Sequence, residues 1–215
     1  MFEPWAQPAK LKRKSRRNGV SAKPKHKPHS HKPNFQAASR TPAMPRSRAL
    51  TPAETELACS VFGSGLRYER IRLHGGAWWL PTRDIAVAPF GHVYFPASRF
   101  CPDFAQRPLA ERAWLVHELA HVWQHQNGFP VWLGGSLLAL RLGYLKNRAY
   151  RLPMLDTVPH FNRLNMEQQA EIFALYYRAA LCRDPAALPY LPQLQRLLQP
   201  FFANPKSRSL WPKWC

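Results

Sequence analysis

The segment Leu109–Gln126 reads LAERAWLVHELAHVWQHQ. Its apolar residues recur at helical spacing, and Asn127, Gly128 and Pro130 supply stop signals behind it, so we predict a single long helix over 109–126. The pentapeptide HELAH lies in the middle of this helix between apolar neighbours, where two histidines and a glutamate are costly to bury without partners. The segment therefore predicts both a central helix and a polar site within it.

The two histidines of this pentapeptide, His117 and His121, are four residues apart. Four residues advance a helix by about 400°, so the imidazoles lie one turn apart and about 40° offset, where both can bind one ion. Glu118 projects about 100° away from His117, too far round to be a ligand but within reach of a water molecule beside that ion. This pattern is typical of zinc-dependent hydrolases, in which neutral imidazoles hold Zn²⁺ and the carboxylate accepts a proton from water.

A catalytic zinc ion needs a third protein ligand. A second predicted helix, over about 165–182, begins at Asn165 and carries Glu167 and Glu171, which are again four residues apart and so share a face. One carboxylate can ligate the ion while the other accepts a hydrogen bond from a ligand histidine. The spacing leaves both assignments open, and we favour Glu167 as the ligand. The longer zinc motif with a third histidine is excluded, because Asn127 stands at that position.

The remaining elements predict an α+β fold with a small antiparallel sheet. Residues 51–54 (TPAE) have the pattern of a capping box with proline at the first helical position, which predicts a short helix over 52–62. Three β-prone runs predict two or three short antiparallel strands, at 68–74, 85–88 and 92–95. Two further helical patterns follow the central helix, a buried one at 131–150 and a short one at 192–198.

The first fifty residues differ in composition from the rest. The chain has 31 Lys and Arg against 12 Asp and Glu, and residues 1–50 contain 13 of these bases but only one of the acids. Such a segment cannot bury enough apolar surface to fold, so we predict a disordered, basic, proline-rich arm over 1–50 and one domain over 51–215. A basic arm can contact nucleic acid or anionic lipid, and a solvated linker is the alternative.

Several protein classes are excluded. The most apolar run, 131–145, is about 15 residues long and contains Arg141, whereas a bilayer requires about 20 apolar residues, so we predict no transmembrane segment. The N-terminal sequence lacks the apolar core of a secretory signal, so we expect a cytoplasmic product. The four cysteines form no C-x-x-C pair and are expected to be reduced thiols.

A resemblance extends beyond the HELAH motif. The runs LTPAETELACSVFG, IRLH, APFGHVYFP, CPDF, HELAHVWQHQNG and FNRLNMEQQAEIFALYY, which span about residues 50–180, resemble the metallopeptidase domain found with, or fused to, VgrG spike proteins of bacterial type VI secretion. The resemblance implies a zincin-like fold with His117 and His121 as zinc ligands, Glu118 as general base and Glu167 as third ligand. It also implies a spike protein or an immunity protein as partner, and delivery into the periplasm of a target cell.

Two functions follow from these expectations. We expect first a zinc metallopeptidase that cleaves amide bonds of proteins or of peptidoglycan peptides. The alternative is a non-catalytic zinc-containing module that docks to secretion machinery or nucleic acid through its basic arm. A structural zinc site would close with four protein ligands, whereas this chain offers three and leaves Glu118 over. The donor that stabilises a developing oxyanion stays open among four residues, Tyr150, His160, Tyr176 and Tyr177.

Overall fold

The computed structural model of the chain describes residues 46–76, 85–140 and 149–214. It is a mixed α+β fold, as the sequence predicts, with one small sheet and several helices. None of the helices in these ranges is both long enough and apolar enough to pass through a bilayer. The strands are β1 (Ser47–Ala49), β2 (Arg72–Gly75) and β3 (Val93–Phe95), and the helices are α1 (Pro52–Phe62), α2 (Leu109–Gln126), α3 (Val131–Leu140), α4 (Met166–Tyr176) and α5 (Leu191–Ala203).

The three strands pair in the order β1-β2-β3. β1 is antiparallel to β2, with Arg48 opposite Leu73, whereas β2 is parallel to β3, with Leu73 opposite Val93. The prediction of an all-antiparallel sheet is therefore wrong. The long connection over residues 76–92 explains the difference, because a crossover of that length can bring the chain back in the same direction.

The predicted strands are also longer than the observed ones. Tyr68–Arg70 forms a 3₁₀ turn, and the run predicted at 85–88 contributes to the sheet only the bridge between Val87 and Tyr94. β1 lies inside the range that we predicted as the basic arm. Residues 1–45 of that range lie outside the described residues, so the division of the chain near residue 50 stays a prediction.

A buried ion pair attaches β1 to the start of α1. The Glu54 carboxylate is fully buried and accepts hydrogen bonds from both terminal nitrogens of Arg48, at 2.6 and 2.7 Å. It also accepts from the backbone N–H of Thr51 at 2.9 Å and of Phe104 at 2.7 Å. The Thr51 hydroxyl accepts from Glu54 in return, which confirms the predicted capping box. One carboxylate thus connects the sheet, α1 and the segment before α2.

The helices follow the sequence patterns closely in α1 and α2, whose bounds agree with the prediction. α4 begins after the predicted cap Asn165, but the last part of the predicted 165–182 helix, Tyr177–Leu181, is a π-helical turn. α5 is longer than predicted and continues through Pro200, because its buried face extends to Phe201. α3 covers the first half of the predicted 131–150 helix, and its Trp132 and Leu133 are exposed rather than buried. Residues 141–148 lie outside the described residues.

The core forms where α2 packs along α4. Trp123 of α2 is 1% exposed and its ring contacts three phenylalanines, Phe161, Phe173 and Phe201. Phe62 of α1 also packs on Phe173, with ring centroids 4.9 Å apart. This aromatic cluster fixes α2 against α4, which sets the distance between the residues that the two helices present to each other.

Candidate metal centre

The two histidines of α2 face α4 from within the interface between the helices. His117 and His121 are 3% and 4% exposed, and their ring centroids lie 5.0 Å apart. The rings stand at 80° to each other, in an edge-to-face arrangement. The one-turn spacing that the sequence predicts is thus realised with both imidazoles buried.

Glu167 reaches these histidines from the first turn of α4. Its Oε2 atom lies 3.2 Å from Nε2 of His117 and 3.2 Å from Nε2 of His121. The ligand atoms of these three buried residues lie within 4.8 Å of one another. Among the described residues, no other group of three or more His, Cys, Asp or Glu side chains comes together in this way. The structure therefore brings together the three residues that the sequence analysis assigns to zinc.

Glu171 lies one turn further along α4 and faces the other side of the His117 ring. Its Oε1 atom is 3.2 Å from Nδ1 of His117, on the opposite edge of the ring from Glu167. Both atoms are buried, and neither makes a hydrogen bond to a described residue. The arrangement fits a supporting carboxylate beside a ligand histidine, and it places Glu167 rather than Glu171 next to His121.

Glu118 is buried beside the same cluster. Its Oε1 atom accepts a hydrogen bond from the indole N–H of Trp114 at 3.2 Å, while its Oε2 atom is buried without a hydrogen-bond partner among the described residues. Burial raises the pKa of Glu118 above the ordinary 4.5, against the attraction of His117 and His121. One carboxylate oxygen is thus held in place and the other is left to accept a proton.

The charges and burial of the cluster favour the binding of a cation. Burial disfavours the imidazolium form of His117 and His121, yet the neighbouring carboxylates outweigh it and raise the pKa of both rings. Glu167 acts on both rings, and Glu171 adds to its effect at His117. Burial would raise the pKa of Glu167, but the two imidazoles lower it far below 4.5. Two nitrogens and a carboxylate oxygen that together favour positive charge, in a nearly solvent-free position, fit the donor set that Zn²⁺ prefers.

The candidate oxyanion donors separate by position. The Tyr150 ring lies 6.0 Å from the His117 ring, centroid to centroid, and so borders the cluster. Tyr176 contacts Phe202 and Tyr177 lies near Arg112, while His160 is the cap of the 3₁₀ turn Phe161–Arg163. Of these four side chains, that of Tyr150 is the one that packs beside a histidine of the cluster.

Two residues of the site were missed by the sequence analysis. His121 Nδ1 lies 2.9 Å from Oε1 of Gln124, and the Gln124 amide in turn donates to Gln169 at 3.0 Å. Both glutamines are buried, at 1% and 0% exposure. A buried polar residue three positions after a ligand histidine is a usable signal, because it must hydrogen-bond within the interior.

Comparison with known proteins relates this chain to type VI secretion. No protein-family model matches it. The type VI secretion system spike protein VgrG2b of Pseudomonas aeruginosa is 36% identical over 134 residues, which are 60% of this chain and 13% of that protein, so the chain matches a small part of the spike protein. The solved structure of the effector domain of Pseudomonas aeruginosa VgrG2b is similar at a TM-score of 0.56 and 31% identity, over 71% of this chain and 82% of that domain.

Proposed function

Because this chain belongs to the same family as the VgrG2b effector domain, we propose that it is a zinc-dependent metallopeptidase. The observation that carries the proposal is the convergence of Nε2 of His117, Nε2 of His121 and Oε2 of Glu167 beside a buried Glu118. Three protein ligands leave a coordination position for a reactant, which is the arrangement of catalytic rather than structural zinc sites.

The residues around this position divide the work of amide hydrolysis. Zn²⁺, when bound, would polarise the scissile carbonyl and lower the pKa of water. Oε2 of Glu118 accepts a proton from the attacking water and later delivers it to the leaving nitrogen, since a raised pKa makes the carboxyl able to do both. Trp114 holds the other oxygen of Glu118 and so fixes the direction in which the proton is taken.

Tyr150 is the proposed donor to the developing oxyanion. Its ring borders His117, and it is the residue among the sequence candidates with that position. A phenolic O–H aimed at the oxygen that gains charge stabilises the transition state more than the ground state. Its substitution separates this role from metal binding, because a tyrosine beside the ligands need not hold the ion.

The similarity to a type VI effector domain supports a proposal for the substrate and for the compartment in which it is cleaved. The chain is similar to an effector domain of a spike protein, and we propose that it is a type VI effector delivered to a target-cell periplasm, where proteins and peptidoglycan peptides supply amide bonds. A spike protein and an immunity protein are the proposed partners. A zincin-like fold for the domain that contains residues 51–215 remains part of the same proposal, as does contact between the basic N-terminal segment and nucleic acid.

The test is the substitution Glu118→Gln on the full chain. We expect zinc content to stay at the wild-type level and hydrolysis of a protein substrate and of peptidoglycan peptides to fall by about 10²–10⁴-fold, because the proton acceptor is lost while the ligands remain. Glu111→Gln is the matched control, since Glu111 lies on the same helix and pairs with Arg107 at the surface. Unchanged hydrolysis in Glu118→Gln would reject the mechanism.

A further inference from the structure

We propose that Gln124 is a positioning residue that decides which nitrogen of His121 carries the proton and so keeps Nε2 available to the metal. The inference rests on the proposed zinc site but concerns a residue that the HELAH motif does not contain. It follows from the hydrogen bonds of two buried glutamines, each of which has a donor and an acceptor end.

The amide of Gln169 faces two backbone carbonyls, which can only accept hydrogen bonds. Nε2 of Gln169 donates to the carbonyl of Leu210 at 2.9 Å and to the carbonyl of Phe161 at 3.2 Å. A carbonyl oxygen has no proton to give, so the amide nitrogen of Gln169 must point at these two groups. The orientation of the Gln169 amide is therefore fixed, and its Oε1 atom faces Gln124.

The same reasoning fixes the amide of Gln124. Its Nε2 atom lies 3.0 Å from Oε1 of Gln169 and 3.0 Å from the carbonyl of Met166, and both of these are acceptors. The nitrogen end of Gln124 thus points at α4, and Oε1 is left to face Nδ1 of His121 at 2.9 Å. An amide oxygen only accepts, so Nδ1 of His121 must be the donor.

The consequence for the metal site is direct. A neutral imidazole carries one proton, so a proton on Nδ1 leaves Nε2 with a lone pair, 3.2 Å from Oε2 of Glu167. Two acceptor atoms at that distance repel each other unless a proton or a metal ion lies between or beside them. The glutamine pair therefore prepares His121 as a ligand before any metal arrives.

Burial makes this arrangement rigid. Gln124 and Gln169 are 1% and 0% exposed, so water cannot replace their partners. Turning over either amide would place donor against donor or acceptor against acceptor at several contacts at once. The relay also crosses three parts of the fold, since Gln124 is on α2, Gln169 on α4 and Leu210 in a C-terminal 3₁₀ turn.

The test compares Gln124→Met with Gln124→Glu in the full chain. Zinc affinity is measured by competition with a chelator, and the thermal midpoint is measured on the metal-free protein. Methionine fills a similar volume but gives Nδ1 of His121 no acceptor, so we expect zinc affinity to fall by about 10–100-fold. Glutamate keeps an acceptor for the Nδ1 proton of His121, so we expect its zinc affinity to lie within about threefold of the wild-type value.

The stability of the two variants is expected to have the opposite order. Glutamate loses the two donor hydrogen bonds to Met166 and Gln169 and buries a charge, so its metal-free form should melt below that of Gln124→Met. If Gln124 were merely a packing residue, zinc affinity would follow stability. A Gln124→Met variant that binds zinc as tightly as the wild type, or more tightly than Gln124→Glu, would overturn the proposal.

Two further measurements separate this inference from the proposed function. Gln126→Met is the matched control on α2, because the Gln126 amide bonds to the backbone of Arg67 instead, and it should leave zinc affinity unchanged. In the metal-free wild type, at a pH where His121 is neutral, ring ¹⁵N shifts should place its proton on Nδ1. A proton on Nε2 would contradict the relay even if zinc binds, whereas correct shifts without zinc binding or hydrolysis would contradict only the proposed function.

Discussion

The Oε1 atom of Glu171 lies 3.2 Å from Nδ1 of His117. Glu167, one helical turn earlier on α4, lies at the same distance from the opposite nitrogen of that ring. A single face of α4 therefore presents both the proposed third ligand and a carboxylate that is placed to orient the proposed ligand His117. The two glutamates have the same side chain and lie on the same face of α4, yet their positions give them different proposed roles.

The different roles predict different losses of zinc. Glu167→Gln removes the charged oxygen that faces both Nε2 atoms, so we expect bound zinc to be lost after dialysis against a weak chelator. Glu171→Gln leaves the three ligands in place, and we expect zinc affinity to fall by about 10–100-fold with measurable binding retained. Metal analysis and chelator competition give both values. Stronger loss in Glu171→Gln than in Glu167→Gln would reverse our assignment.

The tyrosine beside His117 should affect the reaction and not the metal. We expect Tyr150→Phe to lower kcat by about 10²–10³-fold, the usual effect of removing one oxyanion donor, with zinc content unchanged. Tyr176→Phe is the matched control, because Tyr176 lies at the end of α4 against Phe202. If Tyr150→Phe retains kcat within a few fold, another group stabilises the oxyanion.

The stability of the metal-free protein should fall as the pH rises above the ordinary histidine pKa. In the metal-free protein the buried carboxylates raise the pKa of His117 and His121 above 6.5, Glu167 at both rings and Glu171 at His117. Groups with a raised folded-state pKa contribute stability that is fully present below pH 6.5 and is lost as the pH rises through the folded-state value. We therefore expect the metal-free thermal midpoint to fall above pH 6.5.

Zinc competes with those protons, so its affinity rises over the same range. The increase in thermal midpoint on adding zinc should thus widen as the pH rises from about 6 to 8, a range set by the ordinary histidine pKa. Thermal unfolding with and without zinc at several pH values checks this. A zinc-induced shift that narrows with rising pH would contradict the placement of these histidines as ligands.

The buried Glu54 should contribute strongly to stability outside the candidate metal centre. Glu54→Ala leaves the guanidinium of Arg48 partly buried without its partner and removes the acceptor for the Phe104 N–H. Loss of one partner from such a pair costs about 3–5 kcal/mol in the free energy of unfolding. Glu56→Ala, an exposed position on the same helix, should change it by less than about 0.5 kcal/mol. Urea unfolding of the two variants compares them, and equal effects would refute the role of the ion pair.

Structural features that depend on residues close together in the chain were predicted best. The bounds of α1 and α2 and the one-turn spacing of His117 and His121 follow from residues close together in the chain. The contact of Glu167 with the two histidines could be expected only from the types of residue, because Glu167 lies 46 positions after His121 in the chain. Spacing fixed the shared face of Glu167 and Glu171 but left their assignment open.

Non-local relations were predicted less well. The parallel pairing of β2 with β3 depends on where the connection over residues 76–92 returns, which no local pattern encodes. The helix predicted at 192–198 continues through Pro200 to Ala203, because Phe201 packs in the core. The relay from Gln124 through Gln169 to the Leu210 carbonyl joins three distant segments, so only the folded structure shows it.

The most direct test of the account is zinc-edge anomalous diffraction from crystals of the zinc-loaded full chain. We predict one zinc peak at about 2.0–2.2 Å from Nε2 of His117, Nε2 of His121 and a carboxylate oxygen of Glu167, with no fourth protein ligand. A peak bound elsewhere, a site closed by four protein ligands, or no zinc in a crystal that retains this fold would contradict the central claim.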